Sequence, residues 1–229
     1  MKKQGKRYAE NIKKIDKNKH YSPAEAVELL KSLKSAKFVE SVEIHIKLGI
    51  DTKQGDQQVR GTISLPYSTG KTKRIAVFAE GEAELEAKKA GADLVGGKEL
   101  IDKIRTTGKC DFDVAISTPD FMAQLAGIAK ILGPRGLMPS PKNETVTKNV
   151  GKTVKELKSG KIAFKNDDTA NIHQVIGKIS QPTQEIIENL NSFIDALKRA
   201  KPSSSKGVYL KSTTLATTMG PGITLTIAS

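Results

Sequence analysis

From Val42 to Leu48 the chain alternates strictly: Val42, Ile44, Ile46 and Leu48 are apolar, while Glu43, His45 and Lys47 are polar. A period of two predicts a half-buried strand in a sheet with one wet face. Val59 to Leu65 predicts a second strand of the same kind, interrupted by Leu65-Pro66-Tyr67-Ser68-Thr69-Gly70. Upstream, a Lys-rich stretch reaches Lys19, with a helix predicted from Arg7 to Ile15. Ser22-Pro23-Ala24-Glu25 announces another helix: Ser caps, Pro takes the first helical position and Glu completes the capping box. Ala26, Val27, Leu29, Leu30 and Leu33 form its apolar face.

The middle of the chain changes style. Short apolar runs at 75–79, 92–95 and 112–117 alternate with helical patterns over Glu82–Ala90, Lys98–Arg105 and Asp120–Leu132, the last closed by Gly133-Pro134. Strands and helices at this spacing predict parallel βαβ units covered on both faces. A further helix is predicted over Val150–Lys158.

After Ser159-Gly160 the first style returns. Lys161–Lys165 predicts a short strand, and Gln181-Pro182-Thr183 introduces a long helix with Ile186, Ile187, Leu190, Phe193, Ile194 and Leu197 on one face. Two strands, Gly207–Ala216 and Ile223–Ala228, flank Thr217-Thr218-Met219-Gly220-Pro221-Gly222. Neither outer segment has enough strands for a sheet of its own, and together they make one. The expected fold is therefore mixed α/β and α+β in two domains. Residues 1–67 and 160–229 form a discontinuous, split β-α-β-like domain, and 68–159 a Rossmann-like βαβ domain inserted into it. The two crossings, near Tyr67 and Gly160, are candidate hinges.

Composition adds a partner class. The 229 residues hold 38 Lys and Arg against 25 Asp and Glu, a net charge of +13, and nine of those charges lie in the outer segments. Such an excess favours a polyanion, because each cation set against a phosphate releases counterions. Aromatic residues are only 4% and Trp is absent, so folded RNA fits better than single strands stacked on rings. Cys110, the single cysteine, excludes an intrachain disulfide. No apolar run approaches a membrane span, and no signal-peptide core follows the charged start. The expectation is a soluble, cytoplasmic protein without a membrane partner.

Catalytic and cofactor motifs are not supported. Gly70-Lys71-Thr72 and Gly151-Lys152-Thr153 resemble the end of a P-loop, but Leu65 and Val146 stand where its first glycine belongs. Gly133-Pro134-Arg135-Gly136 reads as a helix stop with a rigid loop or as a binding loop. His20, His45 and His173 lie on different elements without ligand spacing, and neither Asp111/Asp113 nor Asp167/Asp168 has a readable partner. No enzyme activity, metal or cofactor is expected. His45, on the polar side of its strand, faces RNA or solvent. Lys37-Phe38 puts a ring beside a cation, either exposed or tucked under the sheet edge. The run 217–222 joins hydroxyls, a thioether and close-approach glycines that suit RNA contact, and it also suits a plain turn.

At these residues the chain resembles the family of ribosomal large-subunit protein one in its bacterial form. The resemblance runs through Gly5-Lys-Arg-Tyr, Ala36-Lys-Phe, Val42-Glu-Ile-His-Ile-Lys-Leu-Gly-Ile-Asp and Val59-Arg-Gly-Thr-Ile-Ser-Leu-Pro. It continues through Ala90-Gly-Ala-Asp-Leu-Val-Gly-Gly, Ile131-Leu-Gly-Pro-Arg-Gly-Leu-Met-Pro, Phe164-Lys-Asn-Asp and Thr217-Thr-Met-Gly-Pro. It implies a hinged pair of domains, binding to the stalk region of large-subunit rRNA, and help in releasing deacylated tRNA from the exit site. It also implies repression of its own operon mRNA, and a monomer when free. RNA contact is carried onto Lys37, Phe38, Glu40, Ser41, Ser212, Thr218, Met219 and Gly220, with His45 added from the strand pattern. Val39 stands where some relatives carry an acidic residue and is left out.

Overall fold

A computed structural model of the chain describes residues 5–16, 18–33, 36–70 and 73–226. The first elements are α1 (Lys6–Ile12), α2 (Pro23–Ser32), β1 (Ser41–Leu48) and β2 (Arg60–Ser64). There follow β3 (Ile75–Phe78), α3 (Glu82–Lys89), β4 (Leu94–Gly96), α4 (Lys98–Thr107) and β5 (Val114–Ser117). Next come α5 (Met122–Leu125), α6 (Ala129–Leu132) and α7 (Val150–Lys158). Last are β6 (Lys161–Lys165), β7 (Asn171–Lys178), α8 (Thr183–Arg199), β8 (Leu210–Thr217) and β9 (Ile223–Thr224). Contacts divide these into two compact units, Met1–Gly70 with Phe164–Ser229 and, separately, Lys71–Ala163.

The first unit is built on an antiparallel sheet of order β7-β1-β8-β9. The alternation of β1 is realised in full: Val42, Ile44, Ile46 and Leu48 are at most 1% exposed, and the residues between them are half-buried. Helices α2 and α8 cover the apolar face. The capping box of α2 forms as its sequence dictates, with Ser22 Oγ accepting from Glu25 N–H and the Glu25 carboxylate accepting from Ser22 N–H. From α8, Ile186, Leu190, Phe193 and Leu197 are all fully buried at helical spacing. Each such side chain contributes roughly 1.5–3 kcal/mol by leaving water, so this helix-on-sheet layer dominates the unit's stability.

Two expectations are corrected here. Strand β2 does not join the main sheet but pairs with β6 in a two-stranded ribbon. Gly61 permits the pairing, because a Cβ there would stand 2.8 Å from the ring of Phe164, which itself packs edge-on against Phe193. The second correction is β7, an edge strand absent from the sequence reading. A bulge opposite Val42 and Glu43 sets Gly177 and Val175, rather than two adjacent residues, against β1 and leaves Ile176 as the extra one. That extra residue breaks the period of two, so the segment does not read as one strand.

The second unit is a three-stranded parallel sheet of order β4-β3-β5. Ala76 and Phe78 face a core with Ile101, Ile104, Phe121, Leu125 and Leu132, while Ile75 and Val77 face Ala87, Val150, Val154 and Leu157. Burial on both faces explains the continuous apolar run. The helix predicted over Asp120–Leu132 is broken into a 3₁₀ turn, α5, a second 3₁₀ turn at Ala126–Ile128 and α6. Gly127 sits in that second turn, where its weak helix propensity lets the backbone tighten. The strand order reverses beside β3, where nucleotide-binding folds hold phosphate. Here the first turn of α3 carries Glu82 and Glu84, whose negative charge disfavours a phosphate at that helix start.

Asn189 is fully buried on α8 and ties the chain crossing to the sheet. Its Oδ1 accepts from Tyr67 N–H (3.0 Å), and its Nδ2 donates to the carbonyls of Tyr67 (3.0 Å) and Ile176 (2.8 Å). Asn189→Ala strands three backbone groups, at about 1–3 kcal/mol for each one left unpaired. Urea unfolding is expected to give a loss of at least ~2 kcal/mol; a smaller one means water replaces the amide.

Candidate nucleic-acid interface

The sheet face opposite α2 and α8 bears Ser41, Glu43, His45 and Lys47 from β1. In register with them stand Ser212, Thr214 and Ala216 from β8 and Asn171, His173 and Val175 from β7. Hydroxyl, amide, imidazole and ammonium groups dominate this surface. Ser41 and Thr218 lie at one end, His45 near the middle and Ser212 towards the other, so the sequence-predicted residues share one stripe.

At the end where β1 begins and β8 finishes, one carboxylate organises two loops. Glu40 is only 2% exposed. Its oxygens accept from Ala36 N–H (2.5 Å) and Met219 N–H (3.0 Å), bridging segments 183 residues apart. Burial works against ionisation of Glu40. The two amides, the Thr217 hydroxyl and the Arg7 guanidinium outweigh it and hold the carboxyl below its ordinary range. Arg7 on α1 also donates to the Met219 carbonyl (3.4 Å).

Thr218 completes the join. Its N–H donates to the Ser41 carbonyl (3.1 Å), and its hydroxyl oxygen accepts from Ser41 N–H (3.0 Å). Gly220 N–H donates to the Thr217 carbonyl, and a Cβ on Gly220 would stand 2.2 Å from Thr217 Oγ1. The turn therefore requires glycine for steric reasons. With the loops held this way, Phe38, Val39 and Met219 stand out at 54%, 55% and 53% exposure, and Lys37 is exposed beside them. Of the alternatives for Phe38, exposure is the one realised. Glu40 differs from its companions: its oxygens are turned inward, and it shapes the surface.

Two of the three histidines lie on different strands, as their spacing implied, yet meet across the sheet. Strand β7 puts His173 opposite His45, with Nδ1 atoms 2.8 Å apart and ring centroids 5.0 Å apart. His173 Nε2 lies 3.5 Å from Asp167 Oδ2, so Asp167 has the partner that spacing did not reveal. The Asn171 amide and, against the small cost of burial, the Thr169 hydroxyl and amide bring the Asp167 pKa down to about 2. Burial, then the neighbouring His173, lowers the His45 pKa, and Glu43 opposes them.

The remaining sequence candidates carry no such assembly. Gly151-Lys152-Thr153 lies inside the first turn of α7, with the Thr153 hydroxyl donating to the Asn149 carbonyl. Of Gly70-Lys71-Thr72, the last two residues lie outside the described set. Cys110 packs at the margin of the second unit's core. Among the described residues no group of three or more His, Cys, Asp or Glu could hold a metal ion, and no helix is long and apolar enough to cross a membrane.

A sequence profile of the "Ribosomal protein L1p/L10e family" matches residues 30–221. The chain is also 52% identical over 223 residues to the "Large ribosomal subunit protein uL1" of Corynebacterium efficiens, covering 97% of this chain and 94% of that protein. The chain belongs to the ribosomal protein L1 family. As a family member it is a structural ribosomal protein and not an enzyme. For an L1-family chain the Glu40 join is informative, because it brings together the two family-like segments 36–38 and 217–221. Four participants escaped the sequence reading. Arg7 stands in a family-like stretch that assigns it no role, and Thr217 in the run 217–222, which does not single it out. His173 and Asp167 needed the unseen β7.

Glu40→Gln keeps one acceptor but turns an NH₂ group towards an amide donor. Hydrogen exchange at Ala36 and Met219 should accelerate, and the unit should lose about 1–3 kcal/mol. The sign with pH follows from the lowered pKa: the stabilisation is complete above the ordinary carboxyl range and lost as pH falls through and below that range. Wild-type protection at those amides, taken relative to the intrinsic exchange rate at each pH, is expected to fall on acidification, and that of the variant to show no such transition.

Proposed function

We propose that this L1-family chain is a constituent of the large ribosomal subunit. It binds the stalk region of large-subunit rRNA through the surface of Lys37, Phe38, Ser41, His45, Ser212, Thr218, Met219 and Gly220, with Glu40 holding that surface in shape. The observation that carries the reading is the exposure of Phe38 and Met219 on loops fixed by a buried carboxylate, in a chain related along its whole length to a large-subunit protein. Leaving apolar groups in water on a preformed frame costs stability and favours a partner that covers them. The charge excess in residues 1–67 and 160–229 supports a phosphate-rich partner. The protein acts in the cytoplasm as part of the ribosome. On the family resemblance, we extend the reading to release of deacylated tRNA from the exit site. We extend it also to repression of its own operon mRNA, bound by this same surface.

Recognition rests on shape and 2′-OH contacts together with moderate phosphate contact. A DNA copy of the rRNA hairpin is expected to bind far more weakly than the RNA at every salt concentration; equal affinities would leave only nonspecific electrostatics. Thr218→Val removes a hydroxyl from both Ser41 and the RNA. It should weaken binding roughly ten- to a hundredfold, ~1–3 kcal/mol, while Thr218→Ser stays near wild type. Binding isotherms beside melting curves check both; unchanged affinity in Thr218→Val moves the contact away from this turn.

The first unit should carry most of the affinity. Residues 1–67 joined by a short Gly linker to 160–229, which keeps β6 whole, are expected to bind stalk rRNA nearly as well as the whole chain. A loss beyond about 100-fold, ~2.7 kcal/mol, would assign part of the recognition to residues 68–159.

A further inference from the structure

His45 and His173 form a hydrogen-bonded pair that the Glu40 join does not use. Its tautomers can be read from its neighbours. Asp167 is ionised and fixed by Thr169 and Asn171, so His173 presents Nε2–H to it across 3.5 Å. With that proton on Nε2, Nδ1 of His173 offers its lone pair, and the proton between the Nδ1 atoms, 2.8 Å apart, is assigned to His45. His45 Nε2, on the far side of its ring, is left without a proton on the open face of the sheet.

A proton taken from solvent at that Nε2 completes a chain: Asp167 carboxylate, His173 facing it at ion-pair distance, and a His45 imidazolium donating to His173. The new charge stands beside the Thr214 position on β8, with Lys47 and Ser212 as the next cross-strand pair. Lys47 Nζ is itself drawn to the Thr169 carbonyl. The other charged group on this face of β1 is Glu43, two residues before His45. The β8 residues there, Ser212 and Thr214, are uncharged. Imidazolium and hydroxyl donors arranged in a row match the oxygens of a phosphodiester.

We propose that His45, backed through His173 by Asp167, is a phosphodiester-binding position on the open sheet face that takes up one proton from solvent as RNA binds. The inference rests on the RNA-binding reading above and adds its linkage to pH. In the free protein, burial and the neighbouring His173 favour neutral His45, and Glu43 only partly offsets them. Phosphate supplies the missing counter-charge. Linkage then requires affinity to rise as pH falls through the interval in which His45 is neutral free and protonated bound.

The test uses the full chain and a stalk rRNA fragment, at fixed ionic strength, from pH 8.0 to 5.5. Wild-type affinity is expected to rise roughly tenfold between pH 7.5 and 6.0. Calorimetry in buffers of different ionisation enthalpy is expected to count an uptake approaching about one proton near the lower end. His45→Asn should flatten the slope to within about twofold, and Asp167→Asn should move its midpoint to lower pH. Should His45→Asn fail to fold, imidazole ¹⁵N spectra of the wild type decide. They should show His45 neutral with its proton on Nδ1 when free, and both nitrogens protonated in the complex at pH 6.5. A wild-type slope of zero, a slope that persists in folded His45→Asn, or a bound His45 that stays neutral overturns the proposal while RNA binding stands. Absence of RNA binding at every pH overturns the reading beneath it as well.

Discussion

Strand β1 has hydrogen-bonding groups on both edges, and the partners that satisfy them, β7 and β8, lie more than 120 residues further along the chain. An unpaired buried backbone group costs about 1–3 kcal/mol, so this central strand cannot persist alone. Its pairing draws the C-terminal segment back to the N-terminal one. It puts Val42, Ile44, Ile46 and Leu48 under α2 and α8 and turns Glu43, His45 and Lys47 to the other side. The second unit occupies the excursion between these partners, with a core of its own on each face of its sheet.

The same pairing creates the need for Glu40. A sheet end is where loops would splay, and here two loops meet whose apolar tips stay in water. A buried carboxylate is costly without donors, and Glu40 receives two backbone amides, a hydroxyl and the field of Arg7. Removing any one donor leaves the charge under-compensated, so the arrangement favours a single loop geometry. The exposed loops are thereby ordered in advance, which lowers the entropic cost of covering them with a partner.

What could be read from sequence follows from how local the cause is. The capping box at Ser22, the period of β1, the helix over 150–158 and the doubly covered strand β3 are dictated by neighbouring residues, and the pattern exposes them. The pairing of β2 with β6 was not legible, since either strand could join a larger sheet. What excludes that is the steric match of Gly61 to Phe164, a contact across about a hundred residues. Strand β7 was hidden by its bulge, and with it the link from Asp167 through His173 to His45. The loops 36–38 and 217–221 were recognisable as family-like, but the inward role of Glu40 was not. A lone acidic residue at a strand entrance looks like an exposed one until its donors are in place.

The order in which the chain is made gives the β1 pairing a further meaning. Synthesis runs from the N-terminus, so Ala36 and Glu40 leave the ribosome long before Met219 exists. Until β8 follows, β1 is a strand without its central neighbour, and contacts over such separations form slowly. The loop that presents Phe38 therefore lacks its brace until Met219 has been made and β8 has joined the sheet. The bridge from Ala36 through Glu40 to Met219 is then among the late contacts of folding, a delay set by topology alone.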